Sequence, residues 1–118
     1  MIKIDKITMA VGDMDAMRHF YASTFGIQFH PFTLAERELF TGQLGEMEFM
    51  LCPKDLAGVD ANINTVQIRL VIDDVETAYH TGLNSGGSNL SGVQEIEGRL
   101  HASLRDPDGN SLEIIQAG

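Results

Sequence analysis

The chain has 118 residues, of which 43% are hydrophobic and 21% are charged, so it is long enough and apolar enough to form one globular domain. Its formal net charge of −9 argues against nucleic acids and anionic membranes as partners, because both are bound through basic patches, and it permits a cationic ligand. The single cysteine excludes an intrachain disulfide, and the sequence shows no basic and apolar leader and no apolar run of membrane length. Together these features predict a cytoplasmic protein.

The first part of the chain predicts a strand followed by a helix. Apolar residues alternate in residues 3–11, as expected of a half-buried strand. Asp13 is a candidate helix N-cap, and apolar residues at helical spacing follow it over residues 14–24. Gly26 then ends this helix in the manner of a C′ glycine.

Three short strands are predicted after the first helix, at about residues 28–32, 36–41 and 46–52. Glycines bracket the turn between the last two strands. The next segment, residues 53–64, contains proline, glycine, aspartate and asparagine without any periodicity. It is predicted to be a loop that joins two halves of the chain.

The second half repeats this order of elements. Residues 65–72 alternate as a strand, and Asp73 and Glu76 form a candidate capping box for a helix that extends to about residue 84. A serine and glycine segment ends this helix, and a weak strand is predicted at about residues 89–95.

Residues 100–116 predict a β-hairpin. The turn is Asp-Pro-Asp-Gly at 106–109, in which the first aspartate can hydrogen-bond back to the chain, the proline fixes φ and the glycine tolerates the exit geometry. Alternation on both sides gives one apolar face and one mixed polar face. The polar face carries His101, Ser103 and Glu113, and such groups usually face water or a ligand cavity.

The two halves are predicted to be an internal repeat. Registering Ile7 on Ile68 also places Asp13 on Asp74 and Gly26 on Gly87. The predicted fold class is α+β, with two paired βαβββ modules that form a curved mixed sheet around a central cavity and helices outside. The chain is then a single domain, 1–118, with modules at about 1–53 and 65–118 and a linker at about 54–64.

Residues 105–114, RDPDGNSLEI, resemble the C-terminal motif of the vicinal oxygen chelate superfamily, which includes glyoxalase I, extradiol dioxygenases, fosfomycin-resistance enzymes and bleomycin-resistance proteins. Supporting pieces are ITMAVGD, FY and FG in the first half, and IRLVIDDVETAY and GG in the second. The resemblance covers essentially the whole chain. It implies paired βαβββ modules and, usually, a homodimer.

Metal-using members of this superfamily place one ligand on each of four strands, usually His at the first and third positions and Glu at the fourth. The resemblance assigns these positions to Lys6, Met50 (with Glu48 as the alternative), Gln67 and Glu113. Only Glu113 offers a usual ligand, because lysine has no lone pair near neutral pH, a thioether is soft and an amide is a weak donor. We therefore expect neither a metal nor another cofactor in this site.

We interpret these positions as a polar binding site that needs no metal. Lys6 could neutralise Glu113 in place of the ion, since an unpaired buried charge is expensive, and a direct pair between them is predicted. The predicted ligand-binding residues share the inward-facing phase of the strands: Lys6, Thr8, Glu48, Met50, Gln67, Arg69, His101, Ser103 and Glu113.

Two functions stay open. The first is a small-molecule binding protein without a metal, of the drug-sequestering kind found among bleomycin-resistance-like members. The second is a lyase, isomerase or dioxygenase-like enzyme with an atypical metal site around Glu113 and His101, with Glu48 as a further ligand; His101 and Glu113 are then the candidate catalytic residues. The other histidines are predicted to lie on the surface and the cysteine to be structural: His19, His30, His80 and Cys52.

Overall fold

Strands and helices follow one another in the order that the repeat predicts. The computed structural model describes residues 1–59, 64 and 66–118. Within these residues the elements are β1 (Lys6–Val11), α1 (Met14–Phe25), β2 (His30–Leu34), β3 (Arg37–Leu44), β4 (Met47–Pro53), α2 (Lys54–Ala57), β5 (Ile68–Ile72), α3 (Val75–Asn84), β6 (Ser88–Ile96), β7 (Arg99–Arg105) and β8 (Ser111–Gln116). None of the helices in this part of the chain is long and apolar enough to cross a membrane.

Hydrogen bonding divides the predicted curved sheet into two four-stranded sheets. The first has the strand order β1-β4-β3-β2 and the second β5-β8-β7-β6. In each sheet the first strand of the module runs parallel to the last, and the strands joined by hairpins are antiparallel. The α+β class and the two paired βαβββ modules are therefore confirmed.

The two long helices lie on the apolar faces of the sheets and contact each other. Phe20 and Tyr21 of α1 and Val75 of α3 belong to one core cluster with Phe49 of the first sheet and Ile114 of the second. Because α1 and α3 cover these faces, the opposite face of each sheet is left to the polar residues of the alternating pattern.

Equivalent aspartates begin the two long helices. The side chain of Asp13 accepts a hydrogen bond from a backbone N–H at 3.1 Å, and that of Asp74 accepts one from the N–H of Thr77 at 3.1 Å. The predicted capping box of Asp73 and Glu76 is wrong, because Asp74 is the N-cap and its second oxygen accepts the Thr77 hydroxyl. The register of the repeat thus locates the helix start better than the local motif does.

The predicted loop after β4 contains the short helix α2. Four residues are too few to show helical periodicity, so the sequence pattern does not reveal it. Leu56 and Ala57 of α2 pack over the polar side of the first sheet. They complete a small apolar cluster with three buried residues, Leu39, Met50 and Cys52.

An ion pair holds α2 against β3. The Nη1 atom of Arg37 lies 2.7 Å from Oδ2 of Asp55. Two expectations from the sequence, the linker at 60–63 and the start of a strand at Thr65, lie outside the described residues.

Asp106 fixes the turn between β7 and β8 and links it to α1. Its Oδ1 accepts the backbone N–H groups of Asp108 and Asn110, both at 3.0 Å. Its Oδ2 accepts the Tyr21 hydroxyl at 2.8 Å and Nδ2 of Asn110 at 2.9 Å. The predicted hairpin is therefore confirmed, and so is the predicted hydrogen bonding of Asp106 to the backbone of its own turn.

Asp108 connects the same turn to the start of α1. Its carboxylate accepts the N–H of Gly12 at 2.7 Å and that of Asp13 at 3.2 Å. The N–H groups at a helix start have no partner within the helix, and negative charge is favourable there. The second module thus supplies the anion for the first helix of the first module.

We expect Tyr21→Phe to lower the free energy of unfolding by about 1–3 kcal/mol near neutral pH, because the buried Asp106 carboxylate loses a donor. Burial raises the pKa of Asp106, whereas the Tyr21 hydrogen bond lowers it, so the variant has the higher Asp106 pKa. The loss of stability should be complete above that pKa and should shrink as the pH falls through it. Urea denaturation over a pH series measures both effects.

Tyr79→Phe is the matched control, because the Tyr79 hydroxyl donates to the neutral Oδ1 of Asn89 at 2.7 Å. Its effect should be smaller, about 0.5–1.5 kcal/mol, and independent of pH over the same range. Equal losses with the same pH dependence in both variants would contradict the role given to the bond between Tyr21 and Asp106.

Candidate functional site

The predicted ligand-binding residues divide between the two sheets. Strand alternation places each group on the face opposite the long helices. The first polar face carries Lys6, Thr8, Glu48 and Met50, on β1 and β4. The second polar face carries Gln67, Arg69, His101, Ser103 and Glu113, on β5, β7 and β8 and just before β5.

On the first polar face, the two predicted charges neutralise each other. Lys6 and Glu48 are register partners on β1 and β4, and Nζ lies 3.1 Å from Oε2. Their side chains are 41% and 43% exposed, so this pair is in contact with water. Thr8 is the register partner of Met50, which is only 9% exposed because it belongs to the cluster under α2.

On the second polar face, Nε of Arg69 donates a hydrogen bond to Oε1 of Glu113. The Arg69 side chain is 58% exposed and that of Glu113 is 26% exposed. Ser103 is the register partner of Glu113 on its other side. An arginine, a carboxylate and a hydroxyl therefore stand side by side across three neighbouring strands.

His101 extends this row along β7. Its register partner is Ile115, which is two residues from Glu113 on β8, so His101 lies on the same face as Glu113. Gln67 stands at the other end of the face, where its Nε2 donates to Oγ of Ser111 at 3.1 Å. All five residues predicted for the second sheet thus lie on one face, with Gln67 and His101 at its two ends.

The predicted ion pair between Lys6 and Glu113 is wrong. Each of these residues forms its ion pair with a neighbour on its own sheet, Glu48 or Arg69. The physical reason is the parallel pairing of the first and last strand of each module, which sets register partners side by side at about 5 Å.

Two open grooves border the polar faces. One, of about 580 Å³, is lined by Thr41 and Glu48 of the first sheet. The other, of about 630 Å³, lies along β5, where it is lined by Arg69 and Val71, and reaches Asp74 and Thr77 at the start of α3. Gln43 lines both grooves, so they adjoin, and each has the size of a small-molecule site.

The residues at the four metal-ligand positions of the superfamily do not fit a divalent ion. Lys6 offers a cation in place of a lone pair, and Glu113 already accepts an N–H of Arg69. Met50 is buried in an apolar cluster. Among the described residues, no three His, Cys, Asp or Glu side chains are grouped to hold a metal ion.

Some residues of the second polar face are missed by the sequence interpretation. Arg105 alternates in phase with His101 and Ser103 on β7, and this phase was the signal that could have identified it. Ser91 is the register partner of Ser103, and Gln94 donates to its Oγ at 2.9 Å. The sequence pattern does not identify these two residues, because β-bulges interrupt the alternation of β6 around them.

The residues predicted to have no role in the site lie where the sequence suggests. The side chains of His19, His30 and His80 are exposed. Cys52 is a free, buried cysteine, and burial raises the pKa of its thiol, which disfavours the reactive thiolate.

The sequence matches a family model described as "Glyoxalase-like domain" over residues 6–115. A search of the curated proteins finds no match.

Solved structures with the same fold cover nearly the whole chain. A glyoxalase-related enzyme from Fulvimarina pelagi superposes with a TM-score of 0.80 at 20% identity, covering 99% of this chain and 89% of the other. A glyoxalase/bleomycin resistance protein from Albidiferax ferrireducens T118 has a TM-score of 0.75 at 17% identity, covering 98% of each chain. An antibiotic binding protein from Streptomyces sp. CB03234 has a TM-score of 0.73 at 16% identity, covering 100% and 98%. At these identities the likeness concerns the fold alone.

We expect Arg69→Met to lower the free energy of unfolding by about 1 kcal/mol, because Glu113 is largely buried and loses its cation. Adding Glu113→Gln should restore most of that stability, since the double variant leaves no unpaired carboxylate. Urea denaturation of the single and double variants measures the coupling.

The control is Arg37→Met, which removes an ion pair with the much more exposed carboxylate of Asp55 and should lower the stability by less than Arg69→Met does. A control loss as large as that of Arg69→Met, or a double variant no more stable than Arg69→Met, would show that Glu113 does not depend on its cation.

Proposed function

Because the chain belongs to the glyoxalase-like domain family, within the vicinal oxygen chelate superfamily, we propose that it is a metal-free protein that binds a small organic molecule on its polar sheet faces. The observation that carries the proposal is the pairing of both carboxylates: Glu48 with Lys6 and Glu113 with Arg69. An ion pair neutralises these carboxylates as a metal would, without coordination geometry and without Lewis-acid chemistry.

The groups on the two polar faces are suited to binding an organic molecule. Thr8, Ser103 and His101 offer hydrogen-bonding groups, and Val71 offers an exposed apolar surface. The solved structure described as an antibiotic binding protein supports a sequestering role, in which the bound molecule is held and not converted.

A homodimer would complete such a site. Each polar face is open to water in one chain, so a bound molecule is enclosed only when another surface meets it. The strand β2 is exposed along its length and carries the apolar side chains Phe32 and Leu34, and an exposed edge strand of this kind is normally protected by a partner. A second copy of this chain is the partner that we propose.

The alternative function is a lyase or isomerase with an atypical metal held by Glu113 and His101. It is favoured by one observation, the position of these two side chains on neighbouring strands of the same face. The hydrogen bond from Arg69 to Glu113 weighs against it, because a cation already occupies the carboxylate.

Metal content separates the two functions. We expect protein purified without a chelator to contain far less than one Zn, Ni, Mn or Fe per chain by elemental analysis, because the donor set lacks the histidines that bind such ions. One metal ion per chain that is lost on Glu113→Ala would support the enzyme and contradict the proposal.

A ligand screen tests the proposed function directly. In a thermal-shift screen of cationic drugs and small organic acids, a ligand at about 100 times its Kd should add about 2.7 kcal/mol of stability. His101→Ala should weaken that ligand at least about tenfold by calorimetry, since the imidazole stands on the second polar face. His80→Ala is the matched control, because His80 is exposed on α3, on the other side of the second sheet, and the affinity should not change.

Sedimentation velocity at micromolar concentration should show a dimer with the ligand bound. Equal effects of the two histidine variants would contradict a ligand site on the second polar face. A ligand bound by a protein that stays monomeric would contradict the completion of that site by a second copy of the chain.

A further inference from the structure

The second polar face concentrates arginine in a chain that is acidic overall. The sequence has 8 Lys and Arg residues against 17 Asp and Glu residues. Arg69 on β5 and Arg99 and Arg105 on β7 all share the strand phase of this face. Within the described strands β5 to β8, Glu113 is the one carboxylate in that phase. On these strands the arginines therefore outnumber the carboxylates, in contrast to the whole chain.

Arg69 is oriented by the protein and still has donors to offer. Its Nε donates to Glu113, and among the described residues neither of its Nη atoms has a hydrogen-bond acceptor. The outer edge of a guanidinium held in this way matches the two oxygens of a carboxylate or phosphonate group. The other two arginines are more engaged, because Arg99 donates to the Gln116 carbonyl and Arg105 to the Gly109 carbonyl.

Hydroxyl groups and an apolar surface lie on the same face as Arg69. Ser103 and Ser91 continue its row across β7 and β6, and Val71, two residues along β5, is 62% exposed. Strands lie about 4.8 Å apart, so Ser103 is about 10 Å from Arg69 at the backbone, with Glu113 on the strand between them. Asp73 and Asp74 also line the groove beside Arg69, and the carboxylate of Asp74 is engaged as the cap of α3.

We propose that the second polar face binds the acidic group of an organic ligand through Arg69, with the apolar body of the ligand on Val71 and with Ser103, His101 and Arg105 farther across the same face. This inference rests on the proposed function and assigns its ligand class. The ligand is an organic acid, such as a carboxylate or phosphonate with an apolar body, and not the cation that the net charge of −9 suggests.

Four probes of one shape and different charge test the ligand class: benzoate, phenylphosphonate, benzamide and benzamidine. Titration of the isotope-labelled full chain, followed by amide chemical shifts, gives both the affinity and the place of binding. We expect the two anions to shift amides of β5, β7 and β8 and to bind at least about tenfold more tightly than neutral benzamide, with benzamidine weakest. A rise in salt concentration should weaken the anions and leave benzamide unchanged.

Arg69→Met should weaken both anions at least about tenfold and leave benzamide unchanged. Since this change also frees Glu113, the double variant with Glu113→Gln separates the two effects and should bind the anions as weakly as the single variant. Arg69→Lys keeps the charge without the bidentate edge and should bind with an intermediate affinity. Arg18→Met is the control on α1, where Arg18 pairs with Asp15, and it should have no effect on the anions.

Benzamidine binding as tightly as benzoate, shifts confined to other strands, or anion binding unchanged in Arg69→Met would overturn the inference and leave the proposed function standing. A protein that binds compounds of the thermal-shift screen but neither anion would do the same. A protein that binds no organic compound in either experiment would overturn both.

Discussion

The placement of the two modules depends on two carboxylates in one turn. Asp106 is 2% exposed and accepts the Tyr21 hydroxyl, while Asp108 accepts N–H groups at the start of α1. Both bonds cross from the second module to the first, next to the core that the two long helices share. Because the helices are held on this side, each sheet turns its other face outward, and every candidate site residue lies on one of those faces.

The internal repeat made most of the fold predictable, whereas side-chain partners across strands were not. Alternation identified the hairpin, and the register of the halves placed Asp13 and Asp74 as equivalent caps. The pair predicted between Lys6 and Glu113 failed because the sequence does not say which strands are neighbours. The helix α2 was missed because a single turn has no period, although its packing decides how much of the first polar face stays open.

The two modules repeat one backbone but use their polar faces differently. In the first, the ion pair joins β1 to β4 at Lys6, and α2 covers the next row around Met50. In the second, the ion pair of Arg69 stands one row further along the parallel strands, and no helix among the described residues covers it. Duplication thus yields one face that is partly closed by its own chain and one that is open for recognition.

The long reach of Asp108 has a consequence for how the chain folds during synthesis. Its bond to the N–H of Gly12 joins residues that are 96 positions apart. The whole first module leaves the ribosome before Asp108 can bind the start of its helix and before Asp106 can accept the Tyr21 hydroxyl. Early intermediates therefore also lack α3, and the part of α1 that packs against it stays uncovered. Contacts between such distant residues slow folding and make it cooperative. A truncated product that lacks the turn is therefore expected to be a substrate for chaperones and proteases, and not a stable half-protein.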